Sequence, residues 1–259
     1  MVIARKPYIY PRNRTSKEDK MRKAIYGRFF ITILISCFGA FALMQASDKD
    51  KDDSNANSEL SRATETVQNI TSASPDKGVP KDVLNGAKCV AVIPKLIKGA
   101  FVVGGEHGKG VATCKTSSGS WSAPAPFEVS GISWGPQIGG KSTDLMMFIM
   151  NDEGMNGLMR GHIKLGADVS AAAGPVGRTA SAEAGYKAGV LTYSSSKGAF
   201  IGASLNGAEL NQDHKLTEQL YSHDVAFSEI LKGQAQTQIS EARDFVNAVQ
   251  NAKETAQAR

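Results

Sequence analysis

Hydrophobic and polar positions change period along the chain, first helical, then strand-like, then helical again. Between Ser58 and about Ala73, Leu60, Ala63, Val67 and Ile70 recur three and four residues apart, which predicts an amphipathic helix capped by Ser58. SPDKGVP interrupts this pattern, and Pro80 opens a short second helix over VPKDVLNGA. From Ala87 the runs shorten. KCVAVIP, AFVVGG, GVATCKT, PFEVSGISW, DLMMFIM, HIKLGADVSAAAG, GVLTYSSS and AFIGASLNG are rich in Val, Ile, Phe and Met, are bounded by glycine, and predict strands joined by turns. In HIKLGADV, His162, Lys164, Gly166 and Asp168 alternate with Ile163, Leu165, Ala167 and Val169, giving one wet and one buried face. SSSKGAF predicts a hairpin turn. Beyond Leu210, Leu216, Leu220, Phe227, Ile230 and Leu231 mark a helix from about Lys215 to Lys232, and Ile239, Ala242, Phe245, Val246 and Val249 mark another. The fold class is therefore α+β, an antiparallel, glycine-rich β core of about eight strands flanked by N- and C-terminal helices.

The region before the first helix has a different character. Phe29 to Ala46 is an 18-residue run without charge, preceded by Arg22, Lys23 and Arg28 and followed by DKDKDD. It reads as a signal peptide or a membrane anchor, near the roughly 20 residues that a bilayer span needs, so cleavage and retention both remain open. Basic residues before it and acidic residues after it place the following domain across the membrane, in the periplasm or cell envelope. MRKAIYGR from Met21 is a normal basic leader start, so translation from Met1 and from Met21 are alternatives. LISC, ending at Cys37, resembles a lipoprotein processing site, although the apolar FGAFALM after it does not. The organisation is a basic tail over 1–28, the apolar segment over 29–46, an acidic tether over 47–57, a domain over 58–232 and an amphipathic helix over 233–259.

Charge follows these boundaries. Residues 1–46 carry nine Lys/Arg against two Asp/Glu, so the overall +5 does not describe the folded part, and nucleic-acid binding by the whole surface is not indicated. Residues 77–200 hold 13 Lys/Arg against eight Asp/Glu between acidic flanks. This cationic middle attracts phosphate groups at short range. Cys89 and Cys114 are the two cysteines outside the apolar segment; an oxidising compartment permits a disulfide, and two buried thiols are the alternative.

Several motifs invite a catalytic reading and do not sustain it. GISWG, residues 131–135, has the GxSxG spacing of a nucleophile elbow, but the Trp-Gly-Pro after Ser133 cannot lead into the helix which that mechanism requires. GGEHGKG, residues 104–110, has Val103 where a phosphate loop needs its first glycine and Gly110 where it needs Ser or Thr, and reads as a hairpin turn. His107, His162, His214 and His223 show no metal-ligand spacing, and Asp152 and Glu153 in NDEG read as turn residues. No catalytic residue, metal or cofactor is expected.

Read in order, PDKGVPKDVLNGA, KCVAVIPKLIKGAFVVGGEHGKGVA, SGSWSAPAPFEVSGISWGPQIGG, DLMMFIM, KLGADVSAAAGPVGR and YSSSKGAFIGASLNGAEL resemble the SYLF domain over roughly residues 58–232. That family is a lipid-binding module of eukaryotic proteins with SH3 or FYVE domains and of stand-alone bacterial envelope proteins. The resemblance implies non-catalytic binding of anionic phospholipids or phosphoinositides, with actin binding in some eukaryotic members. The first candidate site is PKLIKG, read as a loop in which Lys95 and Lys98 meet phosphates while Leu96 and Ile97 enter the acyl boundary. Arg160, Lys164 and Arg178 are further head-group candidates, with Lys88 and Lys109 as weaker ones. The alternative is a structural or protein-interaction module of the envelope, meeting a protein partner through its terminal helices.

Overall fold

The computed structural model describes residues 55–72, 78–100, 103–134, 139–175, 188–196, 199–202, 205 and 207–258. The basic tail, the apolar segment with Cys37, most of the tether and Arg178 lie outside the described residues. Residues from Asp53 to Arg259 form one compact unit. Helix α1 spans Ala56–Thr71 and α2 spans Lys81–Gly86. Strands β1 (Cys89–Ala100), β2 (Val103–Cys114), β3 (Ala125–Trp134) and β4 (Gly139–Ile149) follow, then α3 (Asp152–Met159). The short strands β5 (His162–Lys164), β6 (Ala171–Ala173), β7 (Val190–Ser196), β8 (Ala199–Gly202) and β9 (Glu209–Gln212) complete the sheet. The chain closes with α4 (His214–Tyr221), α5 (Phe227–Leu231) and α6 (Ser240–Ala258).

The sheet runs β5-β9-β3-β2-β1-β4-β7-β6, and β8 extends it by pairing with β7. Every pairing is antiparallel except β6 with β7. Helix α1 lies over the middle of this sheet, against β1, β2, β4 and β7, and places Leu60, Ala63, Val67 and Ile70 at 0% exposure. Helix α6 in turn covers α1 and α2 with Ala242, Phe245, Ala248 and Val249 buried, so its predicted apolar stripe is spent inside the domain.

Local chemistry moves several predicted boundaries. The cap of α1 is Asn55, whose carboxamide oxygen accepts from the Asn57 amide, and Ser58 lies inside the helix with its hydroxyl donating to the Asn55 carbonyl. KCVAVIP and PKLIKGA form one strand, because Pro94, lacking an N–H, is absorbed in a bulge where the register shifts between Ile93 and Leu96. GGEHGKG is not a turn. It lies in the middle of β2, with Gly104 opposite Ser133, Gly108 opposite Val129 and Gly110 opposite Phe127. A Cβ at Gly108 would approach within 2.8 Å of Ile93 Cγ2, so glycine there lets β1 and β2 close up.

NDEGMNGLM forms α3 instead of a turn, with the Asn151 carboxamide capping the Gly154 amide. HIKLGADV is broken at Gly166, whose φ of +85° turns the chain, while the Asp168 carboxylate accepts from the Lys164 amide. The helix expected over 215–232 is two helices, parted after Tyr221 by Ser222 at φ +63°. SSSKGAF is the hairpin predicted from sequence, with Ser196 paired to Ala199. Cys89 and Cys114 pair across β1 and β2 and are joined in a disulfide, which resolves the alternative left open by the sequence.

One buried carboxyl makes stability depend on pH. Burial holds the Glu59 carboxyl above its ordinary range, offset in part by Arg62 at 3.2 Å and by Lys109, and reinforced by Asp213. The folded state thus binds this proton more tightly than the unfolded chain does. The stabilisation is complete below the ordinary carboxylate value and is lost as pH rises through the raised one. Glu59→Gln is therefore expected to be more stable than wild type at pH 7 and to lose that advantage towards pH 4. Thermal melts at both values check this, and a destabilised variant at pH 7 would show that the Arg62 pair outweighs burial.

Candidate functional site

At the end of the four central strands away from the disulfide, the outer face of the sheet is exposed. Two registered rows cross them there: Ser142, Ile97, His107 and Ser130, then Gly140, Gly99, Gly105 and Ile132. Strand alternation sends Lys95, Ile97 and Gly99 of β1 to one face and Leu96 and Lys98 to the other. On the outer face, Ile97 is 47% and Ile132 67% exposed, the two large hydrophobic side chains so placed among the described residues. A Cβ on Gly99 would meet nothing within 4 Å, and one on Gly105 only the Gly131 carbonyl at 3.8 Å. The row that leads to Ile132 is therefore bare backbone at Gly99 and Gly105, and the exposed His107 stands beside Ile97 on the same face. Lys95 stands exposed on it and pairs with no carboxylate among the described residues.

The opposite face is committed to the fold. Leu96 is 0% exposed, so it is a core side chain and not available for insertion. Lys98 donates to Glu106 at 2.7 Å, a carboxylate that is itself nearly buried beneath Gly131. The expected loop that would aim Lys95 and Lys98 at one ligand is thus a strand, in which residues three apart face opposite ways.

The remaining predicted cations do not gather here. Lys164 pairs with Glu209 at 3.0 Å on β5, four strand positions from β1, or about 19 Å along the sheet. Arg160 is the exposed C-cap of α3. Lys88 pairs with Asp152, and Lys109 with the buried Asp213 at 3.1 Å. Ser133 lies in β3 opposite Gly104, and the strand that follows it is β4, not a helix. Ile132 was not singled out from the sequence, although an isoleucine on the polar parity of β3, in step with Glu128 and Ser130, was a readable signal.

Comparison with known proteins fits this architecture. Residues 130–252 match the family described as "Ysc84: Las17-binding protein actin regulator". LAS seventeen-binding protein 3 of Saccharomyces cerevisiae is 34% identical over 163 residues, covering 61% of this chain and 35% of the yeast protein. SH3 domain-containing YSC84-like protein 1 of Homo sapiens is 30% identical over 187 residues, covering 70% and 54% of the two chains. The Bos taurus protein of the same name is 30% identical over 199 residues, covering 74% and 58%. The chain thus spans between about a third and just over half of the length of these relatives, which are named for binding and for their SH3 domains and not for a catalysed reaction. With the family match running from β3 into α6 and relatives 30% or more identical to most of its length, this chain carries a domain of the Ysc84/SYLF family.

Proposed function

We propose that the domain binds anionic phospholipid at a membrane surface, without catalysis, through the outer face of the glycine-rich end of β1 to β4. The observation that carries this reading is the pair Ile97 and Ile132, exposed on one face over bare glycine backbone with Lys95 beside them. Without side chains at Gly99 and Gly105, the backbone approaches a bilayer closely. The isoleucines enter the acyl boundary, and Lys95 meets a phosphate for about 1 kcal/mol. Phosphoinositides are among the lipids this chemistry accepts. In this reading residues 29–46 deliver or hold the domain at the cell envelope, on the exported side.

Such shallow contacts give reversible, salt-sensitive binding. In co-sedimentation of residues 53–259 with phosphatidylcholine vesicles doped with phosphatidylserine or a phosphatidylinositol phosphate, the double variant Ile97→Ser, Ile132→Ser is expected to bind about 30-fold more weakly. Lys95→Gln is expected to weaken binding about fivefold at low salt and little at high salt. Unchanged binding by variants with wild-type melting curves would remove this face from the proposal.

A second reading keeps the face and changes the occupant. The names of the relatives point to protein partners, and two exposed isoleucines also suit a protein contact. Binding that ignores lipid charge and salt, together with isoleucine-dependent association with another protein, would favour it.

A further inference from the structure

At the far end of the β2–β3 hairpin, the loop Thr116–Pro124 faces the α5–α6 connection and the first turns of α6 across a cavity of about 550 Å³. That size suits a small ligand. Lys232 and Arg243 are the charged residues of its wall, both positive; neither pairs with a carboxylate among the described residues, and no acidic side chain lines the space. On the other wall, Thr116, Ser118 and Ser120 form a closed triangle of hydroxyl contacts of 2.8, 3.0 and 2.9 Å, made possible by Gly119 at φ +84°. The Thr116 hydroxyl also donates to the Ser120 carbonyl at 3.0 Å, which leaves the Ser118 and Ser120 hydroxyls to turn a proton towards an anion.

The walls are held in place before any ligand arrives. The buried Tyr221 hydroxyl donates to the Pro124 carbonyl at 2.8 Å, and the Thr237 hydroxyl donates to the Leu220 carbonyl at 2.6 Å. At the base of the loop the Cys114 amide donates to the Ser122 hydroxyl at 3.1 Å, next to the disulfide. Gly233, at φ +78°, brings the α5–α6 turn against Thr116, where a Cβ would come within 2.8 Å of the threonine methyl. Two cations without a carboxylate partner and a hydroxyl cluster, in a hydrogen-bond-braced cavity with no acidic side chain among its described lining, are what phosphate recognition requires.

We infer that this cavity is an anion site for a phosphate-bearing ligand, independent of the Lys95 face. Gly105 on that face and Cys114, at the base of the loop that lines the cavity, lie nine residues apart along β2, or about 30 Å. The phosphate belongs either to a lipid head group or to a soluble molecule.

Inositol hexakisphosphate, titrated into the full chain in non-ionic detergent, tests this. In a Trp134→Phe background, Trp121, which lines the cavity, is the fluorescent reporter. Saturable quenching is expected, and the double variant Lys232→Gln, Arg243→Gln should raise the dissociation constant by about tenfold or more, while Lys95→Gln leaves it unchanged. A parallel arm measures recruitment of residues 53–259 to phosphatidylinositol phosphate vesicles. Recruitment lost in the cavity double variant assigns the phosphate to a lipid, and recruitment kept alongside lost soluble binding assigns it to a free ligand. No saturable binding of the probe, or binding indifferent to the double variant with melting intact, overturns the inference. Either result leaves the Lys95 face to its own test.

Discussion

Gly110→Val is expected to destabilise the domain by about 3 kcal/mol or more, and Gly99→Ala to change stability by no more than about 0.5 kcal/mol. Both glycines lie in the central strands, and composition alone would treat them alike. A Cβ at Gly110 would run into the Val92 carbonyl of the neighbouring strand, reach within 2.9 Å of Phe127 Cζ, and lie 3.0 Å from Ile93 Cγ1. The carbonyl belongs to a strand hydrogen-bonded on both edges, and Phe127 is fully buried, so neither side has room to give. Around Gly99 there is open space. Chemical denaturation of the two variants checks the contrast. A Gly110→Val protein with wild-type stability would mean that β1 and β2 are less closely packed than described.

Breaking the disulfide is expected to have a comparable effect. The bridge joins residues 25 apart, and a loop of that size removes unfolded-chain entropy equivalent to about 3.5 kcal/mol. For a domain of this length such a loss lowers the melting temperature by about 10 °C. Melting curves of residues 53–259 with and without dithiothreitol measure it. Cys89 and Cys114 are both at 0% exposure, so thiol labelling of the oxidised protein should proceed only after unfolding and reduction. Equal melting temperatures under the two conditions, after reduction is verified by mass, would contradict the stabilising role. If residues 29–46 export the domain as proposed, this bridge forms in the oxidising compartment where such bonds persist.

Much of the fold was legible because period and burial coincide. The stripe Leu60, Ala63, Val67, Ile70 predicted α1 and is the face it buries, and the Val- and Met-rich runs located the central strands. The misreadings arose where tertiary packing overrode local preference. Glycines at 104, 108 and 110 look like a turn from composition, yet alternate residues face inward and glycine is what that face accommodates. Helix α3 contains Gly154 and Gly157, poor helix formers, because a Cβ at either would strike Gly189 or the side chains of Val169 and Ile163. The candidate site was half legible. Lys95 and Ile97 were named from a local motif, but their neighbour Ile132 is two strands away, and the sheet order that joins them is not written in any short window. Lys98 was misplaced for the complementary reason: its partner Glu106 lies opposite it on β2, in a register no local pattern reports.

The membrane contact proposed for this domain is the Ile97–Ile132 face. It is tested most directly by attaching an environment-sensitive nitrobenzoxadiazole dye to cysteines introduced one at a time at Ile132 and Ser118 in residues 53–259, with the native disulfide intact. On adding phosphatidylcholine vesicles doped with phosphatidylserine and free of phosphoinositide, the dye at 132 should brighten and shift to the blue, and the dye at 118, about 30 Å along the hairpin, should stay as it is in water. A dye at 132 that is unchanged, whether or not the domain sediments with the vesicles, or a response at 118 in its place, would contradict the account.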